Sequence, residues 1–175
     1  MNIVLIGYRG TGKSAVGALV GARLGMPCLS ADAKIVEKAG MPIPAIVEQV
    51  GWPGFRDIES EVVRELAQLD RVILDTGGGV IEREENITVL RESGVLIWLR
   101  ASVDKIVSRI QGDTERPSLT GGKSFTDEVA EVLERRTPKY RAAAQFEIDT
   151  DLLTLDEVAE RAVGIWETYN QLHEN

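Results

Sequence analysis

Apolar residues along this chain follow two alternating spacings. Unbroken runs such as Ile3-Val4-Leu5-Ile6, Val72-Ile73-Leu74 and Val95-Leu96-Ile97-Trp98-Leu99 predict buried strands over 2–6, 71–75 and 95–99. Shorter runs at 28–30 and 146–148 add two more. Between them the apolar positions recur at helical spacing. That spacing predicts helices over 14–24, closed by Gly25 with Pro27 beyond, over 33–39, opened by Asp32 and ended by Gly40, and over 42–50. Gly51-Trp52-Pro53-Gly54 reads as a turn, after which Ile58, Val62, Leu66 and Leu69 resume the helical repeat. Further helices are predicted over 84–93, through Val103, Ile106, Val107 and Ile110, and from Phe125 through Val129, Val132 and Leu133. The last runs from Leu155 to Tyr169 behind the capping box Thr154-Leu-Asp-Glu157.

Strands that alternate with helices, and that are apolar on both faces, predict an α/β fold with a five-stranded parallel sheet between two helical layers. Nothing reads as a repeat, a linker or a second domain, so 1–175 is expected to be one domain. Gly17 and Gly21 share one face of the first helix and predict close packing on the sheet. The stretch 111–123 (QGDTERPSLTGGK) loses periodicity. Loops of that length in a compact domain are often functional.

Composition narrows the chemistry. A net charge of −8 argues against nucleic acid or an anionic membrane as partner, and makes each arginine informative. The single cysteine, Cys28, excludes an internal disulfide and a cysteine-rich metal site and fits a reducing compartment. The single histidine, His173, excludes a Ser-His-Asp triad and a histidine zinc site. A strand beginning at residue 2 leaves no room for a signal peptide, and no apolar run reaches membrane-spanning length. The expected location is the cytoplasm.

The first strand runs into Gly7-Tyr8-Arg9-Gly10-Thr11-Gly12-Lys13-Ser14, which matches G-x-x-x-x-G-K-[ST] between a strand and a helix. Such a loop winds backbone N–H groups around a phosphate at a helix N-terminus. Lys13 can reach the β/γ-phosphates and the Ser14 hydroxyl can bind Mg²⁺. Gly10-x-Gly12-x-x-Ala15 with Asp32 downstream also fits a loose dinucleotide fingerprint. The residues between strand and last glycine, and the Lys-Ser that follows, favour the nucleotide-phosphate loop. Asp75-x-x-Gly78 has the form of a GTPase D-x-x-G, but no asparagine precedes a lysine, so the guanine-reading N-K-x-D is absent.

Other residues are ordered along the chain. Asp32 follows the second strand, Arg56 lies in Phe55-Arg-Asp-Ile-Glu59, and Gly77-Gly78-Gly79 follows the third strand. Arg116-Pro117-Ser118-Leu119 lies in the long loop, and Arg136 stands in Arg135-Arg136-Thr137-Pro138-Lys139-Tyr140. Asp32 falls where a carboxylate can take the proton of an attacking hydroxyl, or can cap the next helix. The glycines expose N–H groups to a ligand or make a tight turn. Arg136 shares a helix face with Val132 and Leu133, so it should be paired or bind an anion. Glu59, one turn after Arg56, is a candidate ion-pair partner.

From the first strand to Ile148-Asp149-Thr150 this order and spacing resembles shikimate kinase. The resemblance implies a P-loop kinase fold, sheet order 2-3-1-4-5, with a substrate-binding segment at about 31–60 and a mobile lid at about 111–123. It implies ATP-dependent phosphorylation of the shikimate 3-hydroxyl by a monomer that needs Mg²⁺. ATP would lie on Gly10, Thr11, Gly12, Lys13, Ser14 and Ala15. Arg109, otherwise a solvated helix residue, and Ile148-Asp149-Thr150 would flank the adenine. Asp32 would be the base and Arg116 a lid arginine over the γ-phosphate. Shikimate would meet Asp32, Arg56, Gly77, Gly78, Gly79 and Arg136, with Arg56 and Arg136 on its carboxylate. A gluconate kinase of similar build and a non-catalytic nucleotide-binding regulator are the alternatives.

The chain departs from the family pattern at three places. Ser30-Ala31-Asp32 replaces Asp-x-Asp, Trp52 replaces a glutamate, and Val47 stands where an aromatic residue is usual. The first departure removes a carboxylate beside the metal. Asp75, at the end of the third strand, is expected to join Ser14 in that role; its other reading is a cap on the glycine turn.

Overall fold

The computed structural model describes residues 1–110 and 124–173. Five parallel strands, β1 (Asn2–Ile6), β2 (Cys28–Ser30), β3 (Ile73–Asp75), β4 (Gly94–Arg100) and β5 (Phe146–Asp149), form one sheet in the order β2-β3-β1-β4-β5. This is the expected order. The helices are α1 (Lys13–Leu24), α2 (Ala31–Ala39), α3 (Ile43–Ala67), α4 (Glu84–Ser93), α5 (Val103–Ile110), α6 (Phe125–Ala143) and α7 (Leu155–His173).

Side chains along β1 alternate between the two faces, as strand geometry requires. Ile3 and Leu5 join Ile73, Val95, Ile97 and Leu99 under α1 and α7, where Val16, Val20, Val158, Ala162 and Trp166 cover them. Val4 and Ile6 join Leu74, Leu96 and Trp98 on the opposite face, under Ile35, Val62, Val63, Leu90 and Tyr140. Both faces are buried, so the strands read as continuous apolar runs. Gly17 and Gly21 let α1 lie flat on the sheet: a β-carbon at Gly17 would come 2.7 Å from Cys28 Sγ, and one at Gly21 2.6 Å from the Met26 carbonyl. Among the described residues, no helix is long and apolar enough to cross a membrane.

Two local expectations are corrected. Helix α2 starts at Ala31 rather than after Asp32, because the Ser30 hydroxyl accepts from the Ala33 amide at 3.2 Å and caps it. Serine caps as well as aspartate, and Asp32 stands in the first turn. The turn expected over Gly51–Gly54 is shorter: two helical segments of α3 meet at a kink where only Gly51 leaves helical geometry, at φ 70° and ψ 176°. Pro53 then falls in the first turn after the break, where its missing N–H costs nothing. The 3₁₀ turn Val80–Glu82 directly follows the glycine run.

The Gly51 conformation is one that only glycine adopts readily. Gly51→Ala should therefore lower stability by about 1–3 kcal/mol. Gly164, inside α7 with nothing near its absent side chain, gives the opposite sign. Gly164→Ala should raise stability by roughly 0.5–1 kcal/mol. Urea unfolding midpoints of the two variants against wild type check both signs.

Candidate active site

All five strands point their carboxyl ends to one edge, and the sequence-predicted residues gather there. The loop after β1 holds Gly10 and Gly12 at φ 80° and 92°, values open to glycine. Gly12 is the N-cap of α1 and provides no side-chain cap, so the helix presents its first N–H groups to the cavity. Lys13 is 7% exposed; its Nζ donates to the Gly7 and Tyr8 carbonyls at 2.8 and 3.0 Å, folding the side chain back over the loop. Thr11 donates its hydroxyl to the Tyr8 carbonyl at 2.9 Å. A cavity of about 340 Å³ opens here, lined by Gly10, Gly12, Lys13, Ser14 and Ala15 from the loop, by Ser30 and Asp32, and by Asp75, Thr76 and Gly78.

The Ser14 hydroxyl donates to Asp75 Oδ2 at 2.5 Å. Asp75 and Ser30 are register partners on adjacent strands. Hydroxyl and carboxylate together are a hard oxygen pair, the donor chemistry that Mg²⁺ prefers. Among the described residues no group of three or more His, Cys, Asp or Glu could hold a metal ion. An ion here would therefore take most of its ligands from phosphates and water, as Mg²⁺ does beside nucleotides.

Beyond Gly78 the cluster changes from phosphate cradle to paired charges. Arg56 donates to Glu59 at 2.7 Å, and Glu59 is 1% exposed. Burial pushes the Glu59 carboxyl above its usual range, against the opposing pull of Arg56, Arg136 and Arg83. The Arg56 guanidinium also lies 5.5 Å from the Trp52 ring and 5.2 Å from the Phe55 ring. Trp52, a departure from the family pattern, is thus a face for that guanidinium to rest on. Val47 packs against the hydrophobic core.

Arg136 is 4% exposed and donates through Nε to Glu82 Oε1 at 2.8 Å. Lys139 donates to Glu82 Oε2 at 2.7 Å. Burial would raise the Glu82 carboxyl, but the hydrogen bonds from Lys139 and Arg136 outweigh it and hold the group at about 2. Tyr140 donates its hydroxyl to the Gly78 carbonyl at 2.5 Å and stacks on Trp98. Neither Glu82 nor Tyr140 was singled out by the sequence. Their partners lie far away in the chain, and only the capture of a charge on an apolar helix face hinted that Arg136 would need one.

Gly77 and Gly79 are required for space, whereas Gly78 has room for a β-carbon at ordinary contact distance. None of the three has a positive φ. A β-carbon at Gly77 would sit 3.0 Å from both Asp32 Oδ1 and Glu59 Oε2, one at Gly78 3.5 Å from Arg136 Nη1, and one at Gly79 would overlap the Arg56 guanidinium. The run is a floor against which the charged side chains lie.

Arg9 was also missed. It lines the cavity, its Nη1 is buried without a hydrogen-bond partner among the described residues, and its guanidinium lies 5.8 Å from the Phe125 ring. Arg109, exposed on α5, donates to the Gly10 carbonyl at 3.0 Å, which ties that helix to the loop. Ile148 is in the core, Asp149 pairs with Arg100 at 2.8 Å, and the Thr150 hydroxyl donates to the Arg100 carbonyl. Arg116 and the expected lid, 111–123, lie outside the described residues.

A P-loop after β1, with a carboxylate in α2 and largely buried, paired arginines in α3 and α6 beside it, defines a P-loop kinase of small molecules. Comparison with known proteins sharpens this. The family model described as shikimate kinase matches residues 9–166. A shikimate kinase of Nitratidesulfovibrio vulgaris is 42% identical over 153 residues, 86% of this chain and 87% of that one. Another, of Caldicellulosiruptor bescii, is 36% identical over 164 residues, 94% of each. The solved shikimate kinase of Acinetobacter baumannii, in complex with shikimate, superposes with a TM-score of 0.91 at 32% identity, covering 96% of this chain and 93% of that one. The chain belongs to the shikimate kinase family.

The fit at Gly79 gives a direct test of the floor. Gly79 has φ −96°, which alanine tolerates, so Gly79→Ala should leave the fold intact while displacing the Arg56 guanidinium. A crystal structure of the variant should show Arg56 moved off Glu59, with an unchanged sheet.

Proposed function

We propose that this chain transfers the γ-phosphoryl group of ATP to the 3-hydroxyl of shikimate. What carries the reading is the pair of largely buried guanidiniums, Arg56 and Arg136, packed against the glycine run that adjoins the phosphate cradle. A buried arginine beside a ligand site suits a carboxylate, which it can hold in bidentate fashion. Shikimate supplies such a carboxylate, and the Acinetobacter baumannii relative holds shikimate.

In this reading the triphosphate lies on the backbone N–H groups of Gly10, Thr11, Gly12, Lys13, Ser14 and Ala15, at the positive end of α1. Lys13 turns from the loop carbonyls to the β/γ-phosphates and stabilises charge as transfer proceeds. Segment 31–60 carries the acceptor. Asp32, in the first turn of α2, takes the proton of the acceptor hydroxyl as its oxygen attacks. Arg56, oriented by Glu59 and resting on Trp52, and Arg136 hold the carboxylate and set which hydroxyl faces the phosphate. Bound Mg²⁺ would neutralise charge on the β/γ-phosphate oxygens. Ser14 and Asp75 are the groups proposed to hold it and its water shell.

Release of ADP, measured with shikimate, gluconate and nucleoside monophosphates as acceptors, tests the assignment. Turnover is expected with shikimate alone; preference for gluconate, or no turnover with any acceptor, overturns it.

The metal role of Asp75 makes a separate prediction. Asp75→Asn should shift the Mg²⁺ midpoint of ATP binding upward, by roughly tenfold for the loss of one charged partner. Adding Ser30→Asp to that variant should restore part of the shift, because Ser30 faces Asp75 across the strand pair and aspartate still caps α2. Titration calorimetry of ATP over a series of Mg²⁺ concentrations reads this without turnover. An unchanged midpoint in Asp75→Asn sinks it.

A further inference from the structure

Glu82 stands on the 3₁₀ turn that leaves the glycine run and faces α6 across the site. Its carboxylate oxygens are divided between two cations. Oε1 accepts from Arg136 Nε at 2.8 Å, Oε2 accepts from Lys139 Nζ at 2.7 Å, and Arg135 Nη2 lies 3.8 Å from Oε1. A guanidinium has a fixed fork of donors, so a bond to one edge determines where the others point. With Nε taken by Glu82, Arg136 Nη1 lies against Gly78, 3.5 Å from where a β-carbon on that residue would sit. That is the acceptor side of the site.

We propose that Glu82 is a positioning residue of the acceptor site: by accepting from Arg136 Nε it fixes the guanidinium so that its Nη groups face the acceptor carboxylate. The inference rests on the reading that Arg136 binds that carboxylate. A competing effect has to be weighed, since a carboxylate behind the arginine also repels an anionic acceptor. Lys139 and Arg135 lie on the same Glu82 carboxylate, so the neighbourhood keeps a positive balance with Glu82 in place. Removing Glu82 instead strips the carboxylate partner from a guanidinium that is 4% exposed. Loss of a charge-assisted bond to a buried group exceeds a repulsion already neutralised by two neighbouring cations. Orientation therefore wins, and Glu82 supports acceptor binding. Because its hydrogen bonds from Lys139 and Arg136 overcome burial and hold its carboxyl at about 2, the strap stays ionised through any neutral assay range.

The experiment measures the Kd for shikimate by titration calorimetry, with kcat and both KM values, on the full chain. Glu82→Ala should weaken shikimate binding roughly tenfold, the worth of one charge-assisted hydrogen bond, and leave the KM for ATP unchanged. Glu82→Gln keeps an acceptor oxygen for Nε and should retain most of the binding. Lys139→Met keeps the Arg136–Glu82 bond and leaves Arg135 on the same carboxylate, so it should weaken shikimate binding far less than Glu82→Ala, whatever it does to stability. Arg136→Ala should weaken binding, and adding Glu82→Ala to it should weaken it no further. Unchanged or tighter shikimate binding in Glu82→Ala, beside a weakened Arg136→Ala, overturns the inference alone. So does a Lys139→Met variant as weak as Glu82→Ala, which marks a merely structural contact. Unchanged binding in Arg136→Ala overturns the underlying reading, and this inference with it.

Discussion

Close approach of charge to backbone is the constraint on which the site depends. Asp32 and Glu59 crowd the place where Gly77 would carry a side chain, Arg136 approaches Gly78, and Arg56 occupies the space beside Gly79. A larger residue at Gly77 or Gly79 would push a charged group out of the cluster. Glycine in a loop usually answers a demand for left-handed dihedrals. Here it answers a demand for room, since none of the three residues has a positive φ. The Tyr140 hydroxyl pins the run from the α6 side through the Gly78 carbonyl. The same few atoms thus join β3, α2, α3 and α6.

A chain with net charge −8 must still present cations to two anions, a triphosphate and a carboxylate. In the proposed reading the carboxylate falls to two largely buried arginines, each paired with a carboxylate: Arg56 with Glu59, and Arg136 with Glu82. Buried ion pairs contribute little net stability compared with apolar packing. Their worth lies in fixing direction, because a guanidinium held on one edge presents its other donors in a known orientation. Trp52 and Phe55 do the same for Arg56 by giving it two rings to rest beside. Lys13 is handled differently. It is parked on the Gly7 and Tyr8 carbonyls, neutral acceptors it can leave for a phosphate at modest cost.

The sheet supports the metal role proposed for Asp75. Ser30 and Asp75 are neighbours in the β2–β3 register, both at carboxyl ends, both lining the cavity beside Ser14. Parallel strands deliver equivalent positions to one edge, so either can serve a group bound there. Ser30 meanwhile takes over the cap of α2.

The alternation of apolar runs with helical repeats, the loop from Gly7 to Ser14 and the order of Asp32, Arg56, Gly77–Gly79 and Arg136 were legible in the residues. So were the fold, the strand order that resemblance implied, and the capping box, where Thr154 and Glu157 exchange hydrogen bonds. These are short-range facts: a period, a cap or a loop is decided within a few neighbouring positions. Tertiary structure alone decided that Ser30 rather than Asp32 opens α2, that the break between the two helical parts of α3 narrows to Gly51, and that Trp52 supports Arg56. It alone paired Ser14 with Asp75 and Arg136 with Glu82, residues 61 and 54 positions apart. Such pairings follow from which strand ends the sheet sets side by side and from the rule that a buried charge must find a partner. The sequence states that the need exists, and only packing settles which of 28 acidic side chains meets it.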